Sequence, residues 1–277
     1  MRAGFHVYYG MEKRACYIQR VNSKTGRQSV RPPTAEVEEV DSPEEFLRRA
    51  MAAKSARSRG IYARKGLATA GAIDRTTHAM LLRQLYLSLY EARRFEQAHT
   101  VARQALELDV LSDVLNQDAA RAALASGDLE AALGHLRAAA RRGPASRRPF
   151  HLWTLGSTLF LAQRYPEAIA ALERAVRWET KDKPLYRAHL ALAQLASGDR
   201  PGELQETVRE LAEAPCGQGY GRFVLGHLAY ATGNWAAAKK YLEAFLKRTT
   251  ASRPALVIAL EGEVEMTRAT LKKMSAN

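Results

Sequence analysis

One pattern returns five times along this chain at a spacing near 35 residues, and nothing else in the sequence constrains the fold as much. The clearest copy spans residues 148–179, RPFHLWTLGSTLFLAQRYPEAIAALERAVRWE. Leu152, Leu155, Gly156 and Leu159 share one helix face at spacings of three and four. After Gln163 and Arg164, a second face follows with Tyr165, Ala168, Leu172, Ala175 and Val176. Small residues alternate with large ones at fixed offsets, which lets two helix backbones approach closely.

The units open at residues 79, 113, 149, 184 and 219, so successive starts lie 34, 36, 35 and 35 residues apart. A period of this length built from helix pairs predicts a helical solenoid. Before it, Ser42-Pro43-Glu44-Glu45 reads as a helix start: a capping hydroxyl, a proline in the first turn and acids at the positive end of the dipole. One helix is expected to run to about Ser55 with a break near Gly60. A second is expected through Lys65 to Ala70, closed by Gly71. Residues 43–71 therefore form a degenerate first pair. Residues 1–41 differ: the alternation from Ala15 to Val21, the turn formers at 22–26 and a return at Gln28 to Val30 allow a short hairpin or a disordered arm. After Pro254 one more amphipathic helix is expected within 253–277. It is expected to cap the open end of the stack, with Glu263, Arg268, Lys272 and Lys273 outward.

These residues resemble the tetratricopeptide repeat family, whose unit is a 34-residue helix pair. Leu155-Gly156 and Leu225-Gly226 match the family's Leu-Gly pair, and Ala119-Ala120 and Leu190-Ala191 are softer versions. Ala98, Ala132, Ala168 and Ala238 match the first small position of the second helix; Ala105, Ala139 and Ala175 match the next. Phe95, Leu129, Tyr165 and Trp235 match the residue that opens that helix, and Pro144 and Pro215 the closing proline. The fourth unit departs, with Pro201-Gly202-Glu203 where an aromatic and an alanine belong, so its second helix is expected to start late or shift register. The resemblance implies an all-α, right-handed solenoid with units at 79–112, 113–148, 149–183, 184–218 and 219–252.

Catalytic chemistry finds little purchase. Seven histidines are scattered, with no pair at the i, i+4 spacing of a helical metal site. His189 and His227 read as satisfied structural histidines. No P-loop and no Gly-x-Ser-x-Gly elbow occurs, and Gly217 to Gly221 reads as a link between repeats. Acids fall mostly on outward helix faces. The expectation is a non-enzymatic protein with neither cofactor nor metal. Cys16 and Cys216 support no disulfide framework, and no signal peptide or membrane span is read, so a cytoplasmic location is expected.

The resemblance implies that first helices line a concave groove that receives a partner's peptide or helix. Its positions fall at Arg83, Leu87 and Tyr90 in the first unit; Gln117 and Arg121 in the second; Trp153, Ser157 and Phe160 in the third; Leu192 in the fourth; and Tyr220, Phe223, His227 and Tyr230 in the fifth. Aromatic residues are denser there than the 8% of the whole chain, and rigid aromatics are common interface anchors. Trp153, Phe160, Phe223 and Tyr230 are the expected apolar anchors, with charge from Arg83 and Arg121. Leu87 stands where the family's chaperone-tail binders place a clamping polar residue, which argues against carboxylate clamping. The net charge of +13 favours acidic partners. Arg48, Arg49, Lys54, Arg57, Arg59, Arg64 and Lys65 form a basic cluster free of acids within 48–65, which supports an alternative: nucleic-acid association through that segment.

Overall fold

The computed structural model describes residues 42–69, 71–179 and 182–276, so the expected hairpin or arm at 1–41 lies outside the described residues. Among the described residues there are fourteen α-helices and no strand. They pair in chain order: α1 (Pro43–Ala52) with α2 (Ala56–Leu67), α3 (Arg75–Glu91) with α4 (Phe95–Leu106), and α5 (Ser112–Ala125) with α6 (Leu129–Arg142). Then come α7 (Arg148–Leu161) with α8 (Tyr165–Trp178), α9 (Lys183–Ser197) with α10 (Leu204–Glu213), and α11 (Gly221–Ala231) with α12 (Trp235–Thr250). Each helix packs on the one before it, which makes a helical repeat solenoid.

At the first pair, the Ser42 hydroxyl accepts the Glu45 amide at 3.2 Å. The break falls at 53–55, not near Gly60. Gly60 lies inside α2, where an added Cβ would sit 2.4 Å from Ser88 Oγ, so this glycine serves close packing against α3. α2 ends at Leu67, earlier than Ala70.

Every regular unit turns between its helices in the same way. One residue adopts left-handed backbone: Arg93 (φ 58°), Gly127 (82°), Gln163 (60°), Gly198 (92°) and Gly233 (78°). The next amide then reaches back to a carbonyl five residues earlier, as in Arg94 to Leu89 (2.9 Å), Asp128 to Ala123 (2.9 Å), Arg164 to Leu159 (2.9 Å), Asp199 to Gln194 (2.9 Å) and Asn234 to Ala229 (2.8 Å). This is the Schellman closure of a helix. Across the turn, rings meet at 5.7 Å (Tyr90–Phe95), 5.9 Å (Phe160–Tyr165) and 5.4 Å (Tyr230–Trp235).

The two helices of a unit touch at a small residue. A Cβ on Gly156 would lie 2.6 Å from Leu172 Cγ, and one on Gly226 2.5 Å from Leu242 Cδ2. Ala98, Ala132, Ala168 and Ala238 on the second helices are all fully buried. In the fourth unit the second helix starts at Leu204, after Glu203 in left-handed backbone (φ 51°), with Gly202, a poor helix former, just before it. A short 3-10 turn, Pro215–Gln218, then leads into the last unit.

First helices of neighbouring units touch one another (α3 with α5, α7 with α9, α9 with α11), so they line the inner side of the stack. The C-terminal segment differs from the single end cap expected. It breaks at Leu260 into α13 (Pro254–Ala259) and α14 (Glu261–Ser275). α13 reaches back to α3 and α5, and α14 returns across α11 and α12. Ile258 is buried among Tyr86, Leu89 and Tyr90, and Leu260 and Val264 join the core shared by the later units.

Two substitutions separate these constraints. Gly156→Ala overpacks against Leu172 and is expected to cost about 1–3 kcal/mol. Gln163→Gly removes left-handed strain and is expected to gain about 0.5–1 kcal/mol after the entropy of glycine is counted. Urea unfolding followed by circular dichroism checks both.

Candidate functional site

The inner face is covered, not open. Of the residues expected to line a groove, Tyr90, Gln117, Trp153, Ser157, Phe160, Leu192, Tyr220, Phe223 and His227 are buried, while Arg83, Leu87, Arg121 and Tyr230 are half-buried. The aromatic anchors pack between helices. Trp153 stacks on Tyr186 (5.5 Å between centroids), meets Tyr220 edge-on (4.9 Å), and donates its Nε1–H to His189 Nδ1 at 3.2 Å. Phe160 meets His189 at 5.3 Å, and Phe223 sits between His227 (4.6 Å) and Phe245 (5.5 Å). Burial pushes His189 down to about 3, with His227 adding to the shift, and pushes His227 down to about 4, so both are neutral. His189 is only half satisfied, through Trp153, and neither His189 Nε2 nor His227 Nε2 finds a hydrogen-bond partner among the described residues.

In the first units the inner face is polar. The expected charge of Arg83 and Arg121 is held by Asp118, which is 1% exposed and receives Arg83 Nε at 2.6 Å and Arg121 at 3.1 Å. One step along, His151 Nε2 donates to Asp113 Oδ2 at 3.0 Å, while its Nδ1 receives the Gln117 amide at 2.9 Å. Arg147 also pairs with Asp113 at 2.9 Å. Burial raises the Asp113 pKa, but the His151 hydrogen bond and the Arg147 charge outweigh it, so the carboxyl lies below its ordinary value. Asp113 and Asp118 therefore depart from the expectation of outward acids. Each fills a gap between units with an ion pair or hydrogen bond, which is the condition for burying a carboxylate.

α14 completes the face. Glu263 was expected outward, yet it is buried, because α14 turns that side into the stack. Ser157 and Tyr220 hydroxyls lie 2.7 Å apart, and Tyr220 donates to Glu263 Oε1 at 3.1 Å. No cation pairs with Glu263 among the described residues, and burial pushes its carboxyl up to about 7. Thr267 is fully buried beside it, and its hydroxyl has no hydrogen-bond partner among the described residues. At the start of α14, Arg93 pairs with Glu261 on the surface.

The basic segment is partly neutralised from outside its own bounds. Arg48 and Arg49 pair with Glu45 at 2.6 and 2.7 Å, and Arg59 with Glu91 at 2.7 Å. Arg49 and Lys65 also lie over the Phe46 ring. Lys54, Arg57, Arg64 and Lys65 are exposed. Among the described residues no group of three or more His, Cys, Asp or Glu is placed to hold a metal ion. No described helix is long and apolar enough to cross a membrane.

Residues 117–183 match the family model for the tetratricopeptide repeat, a span that runs from within α5 to the first residue of α9. No curated protein matches the chain. The turn geometry at Gly127 and Gln163 inside that span recurs at Arg93, Gly198 and Gly233 outside it.

Glu263 makes the stability depend on pH with a definite sign. Its folded value lies above the unfolded one near 4.5, so the folded state holds a proton that the unfolded state has lost. Stability contributed by the neutral acid is full below pH 4.5 and is lost as pH rises through about 7. Glu263→Gln keeps an acceptor for Tyr220 without the charge. It is expected to match the wild type near pH 4.5 and to be about 3 kcal/mol more stable at pH 8. Urea unfolding of both proteins across that range checks it; His189 and His227 titrate alike in both and cancel in the difference.

Proposed function

We propose, from the premise that this chain is a tetratricopeptide repeat protein, that it is a non-enzymatic scaffold whose inner face receives a helical or extended segment of a partner protein. Repeats of this kind generally mediate protein–protein interaction. The observation that supports the inner face here is its own occupant. α13 already lies on the first helices of the first two regular units and α14 on both helices of the last, held by Ile258, Leu260, Val264 and the Tyr220–Glu263 hydrogen bond. A face that takes one amphipathic helix has the shape and apolar lining for another. Leu87 and Tyr230 remain half-exposed at its two ends.

Nucleic-acid association through residues 48–65 has weaker support. Three of its seven cations already face Glu45 or Glu91, which reduces the number of phosphates it could neutralise.

A peptide-display library screened on the immobilised full chain tests the scaffold reading. Expected is enrichment of segments with apolar residues at i, i+3, i+4 and i+7. Binding of the enriched peptides should weaken at least tenfold in Leu87→Glu or in Tyr230→Glu, one at each end of the face, with the helical circular dichroism of the chain retained. No enrichment, or equal binding to both variants, would overturn it.

A further inference from the structure

We infer that α14 is a displaceable resident of the inner face, and that the partner which displaces it is an amphipathic helix carrying aliphatic side chains where α14 carries Glu263 and Thr267. The inference deepens the scaffold reading and rests on it.

The seat itself is well built. Leu260 and Val264 enter the core shared by the later units, Gly262 lies close to Leu161 (an added Cβ would be 3.4 Å from its Cδ1), and Tyr220 and Ser157 form the floor. The occupant fits that seat imperfectly. On its buried side it places a carboxyl whose one polar side-chain partner among the described residues is the Tyr220 hydroxyl, and next to it a threonine hydroxyl with no hydrogen bond. Burying polar groups in this way subtracts from the gain of the apolar contacts around them. A segment selected only to close the end of a solenoid would have no reason to turn these two side chains inward. A segment that has to leave would.

The chain around α14 permits departure. Leu260 (φ −112°, ψ 17°) lies outside both helices, so α14 can swing from that point while α13 keeps Ile258 in its own cluster. The Arg93–Glu261 pair at the hinge is exposed and adds little. Tethering holds α14 near its seat at an effective concentration on the order of millimolar. A partner present at micromolar concentration must therefore bind about a thousandfold better than α14 to occupy half the molecules. Each aliphatic side chain replacing a poorly satisfied polar one contributes roughly ten- to hundredfold, so two such replacements reach that range.

Two synthetic peptides of residues 260–275, one native and one carrying Glu263→Leu and Thr267→Leu, are added to the unmodified full chain. Fluorescence anisotropy reads binding of the labelled peptide, and hydrogen exchange reads the chain's own α14. Expected is binding of the leucine peptide at least tenfold tighter than the native one, with faster exchange of residues 261–275 and unchanged exchange in α3 to α12. The chain carrying Glu263→Leu and Thr267→Leu in its own α14 should bind either peptide at least tenfold more weakly; if that variant does not fold, the unmodified chain decides alone. Equal affinities, or no binding with α14 protected throughout, overturn the inference. A peptide that binds while α14 stays protected also overturns it, and leaves the scaffold reading standing. A dimer by light scattering whose α14 protection falls on dilution would give the seat to a second copy and overturn it as well.

Discussion

The close approach of the two helices in each unit is the constraint on which the rest of the stack depends. At Gly156 and Gly226 there is no room for a Cβ beside Leu172 and Leu242. The same register position holds Ala120 in the second regular unit, with Leu136 buried in its core, and Tyr86 in the first, with Ala102 buried in its cluster. Where the first helix gives up volume the second supplies it, and where the first carries a tyrosine the second carries an alanine. Total volume is kept while the residues change, which is the kind of exchange that packed cores tolerate. Without that spacing the turns at residues 93, 127, 163, 198 and 233 could not repeat, and the inner face would have no fixed curvature.

Given that spacing, the inner face is made in two ways. Between the first three regular units it is polar: Arg83–Asp118–Arg121, then Arg147–Asp113–His151–Gln117. From the third unit onward it is aromatic: Trp153, Tyr186, His189, Tyr220 and Phe223. Glu263 enters at the aromatic end, where no arginine among the described residues is placed to receive it, and that location is why its carboxyl is raised while that of Asp113 is lowered. Two buried acids on one face thus have opposite electrostatics, set by which neighbours their unit offers.

The repeat was legible in the sequence because its signals are local. Leu155-Gly156, Ala168 and Tyr165 lie within one unit, and their spacing alone specifies a helix pair and its turn. The late start at Leu204 was legible for the same reason, since Pro201 and Gly202 act on their own helix. Gly60 was misread as a break because a glycine that admits Ser88 from another helix looks, in sequence, like one that ends a helix. The inner face was less legible. Glu263 was placed outward from the charge pattern of its helix, but its burial depends on where α14 crosses the stack, and that is settled by contacts with Tyr220 and Leu161, far away in the chain. Asp118 carried a faint signal, being an acid followed directly by the alanine-rich half of its helix; Asp113, in the first turn of that helix, carried none. Their partners, Arg83, Arg147 and His151, lie about one repeat away, at a separation no local pattern encodes.

The polar and aromatic joints also differ in what they specify. An apolar joint of mixed rings can shift by small amounts and keep most of its contact area. A buried carboxylate between two arginines cannot, because any slip of α5 against α3 separates Asp118 from Arg83, its closest partner, and leaves it only Arg121 of its own helix in an environment that penalises a poorly paired charge. The polar joints therefore set the register of the first three regular units, while the aromatic joints supply apolar burial to the later ones. α13 docks at the register-fixed end, through Ile258 beside Tyr86 and Tyr90, and α14 at the softer, aromatic end. Anchoring by α13 and release of α14 follow from the same division of the inner face.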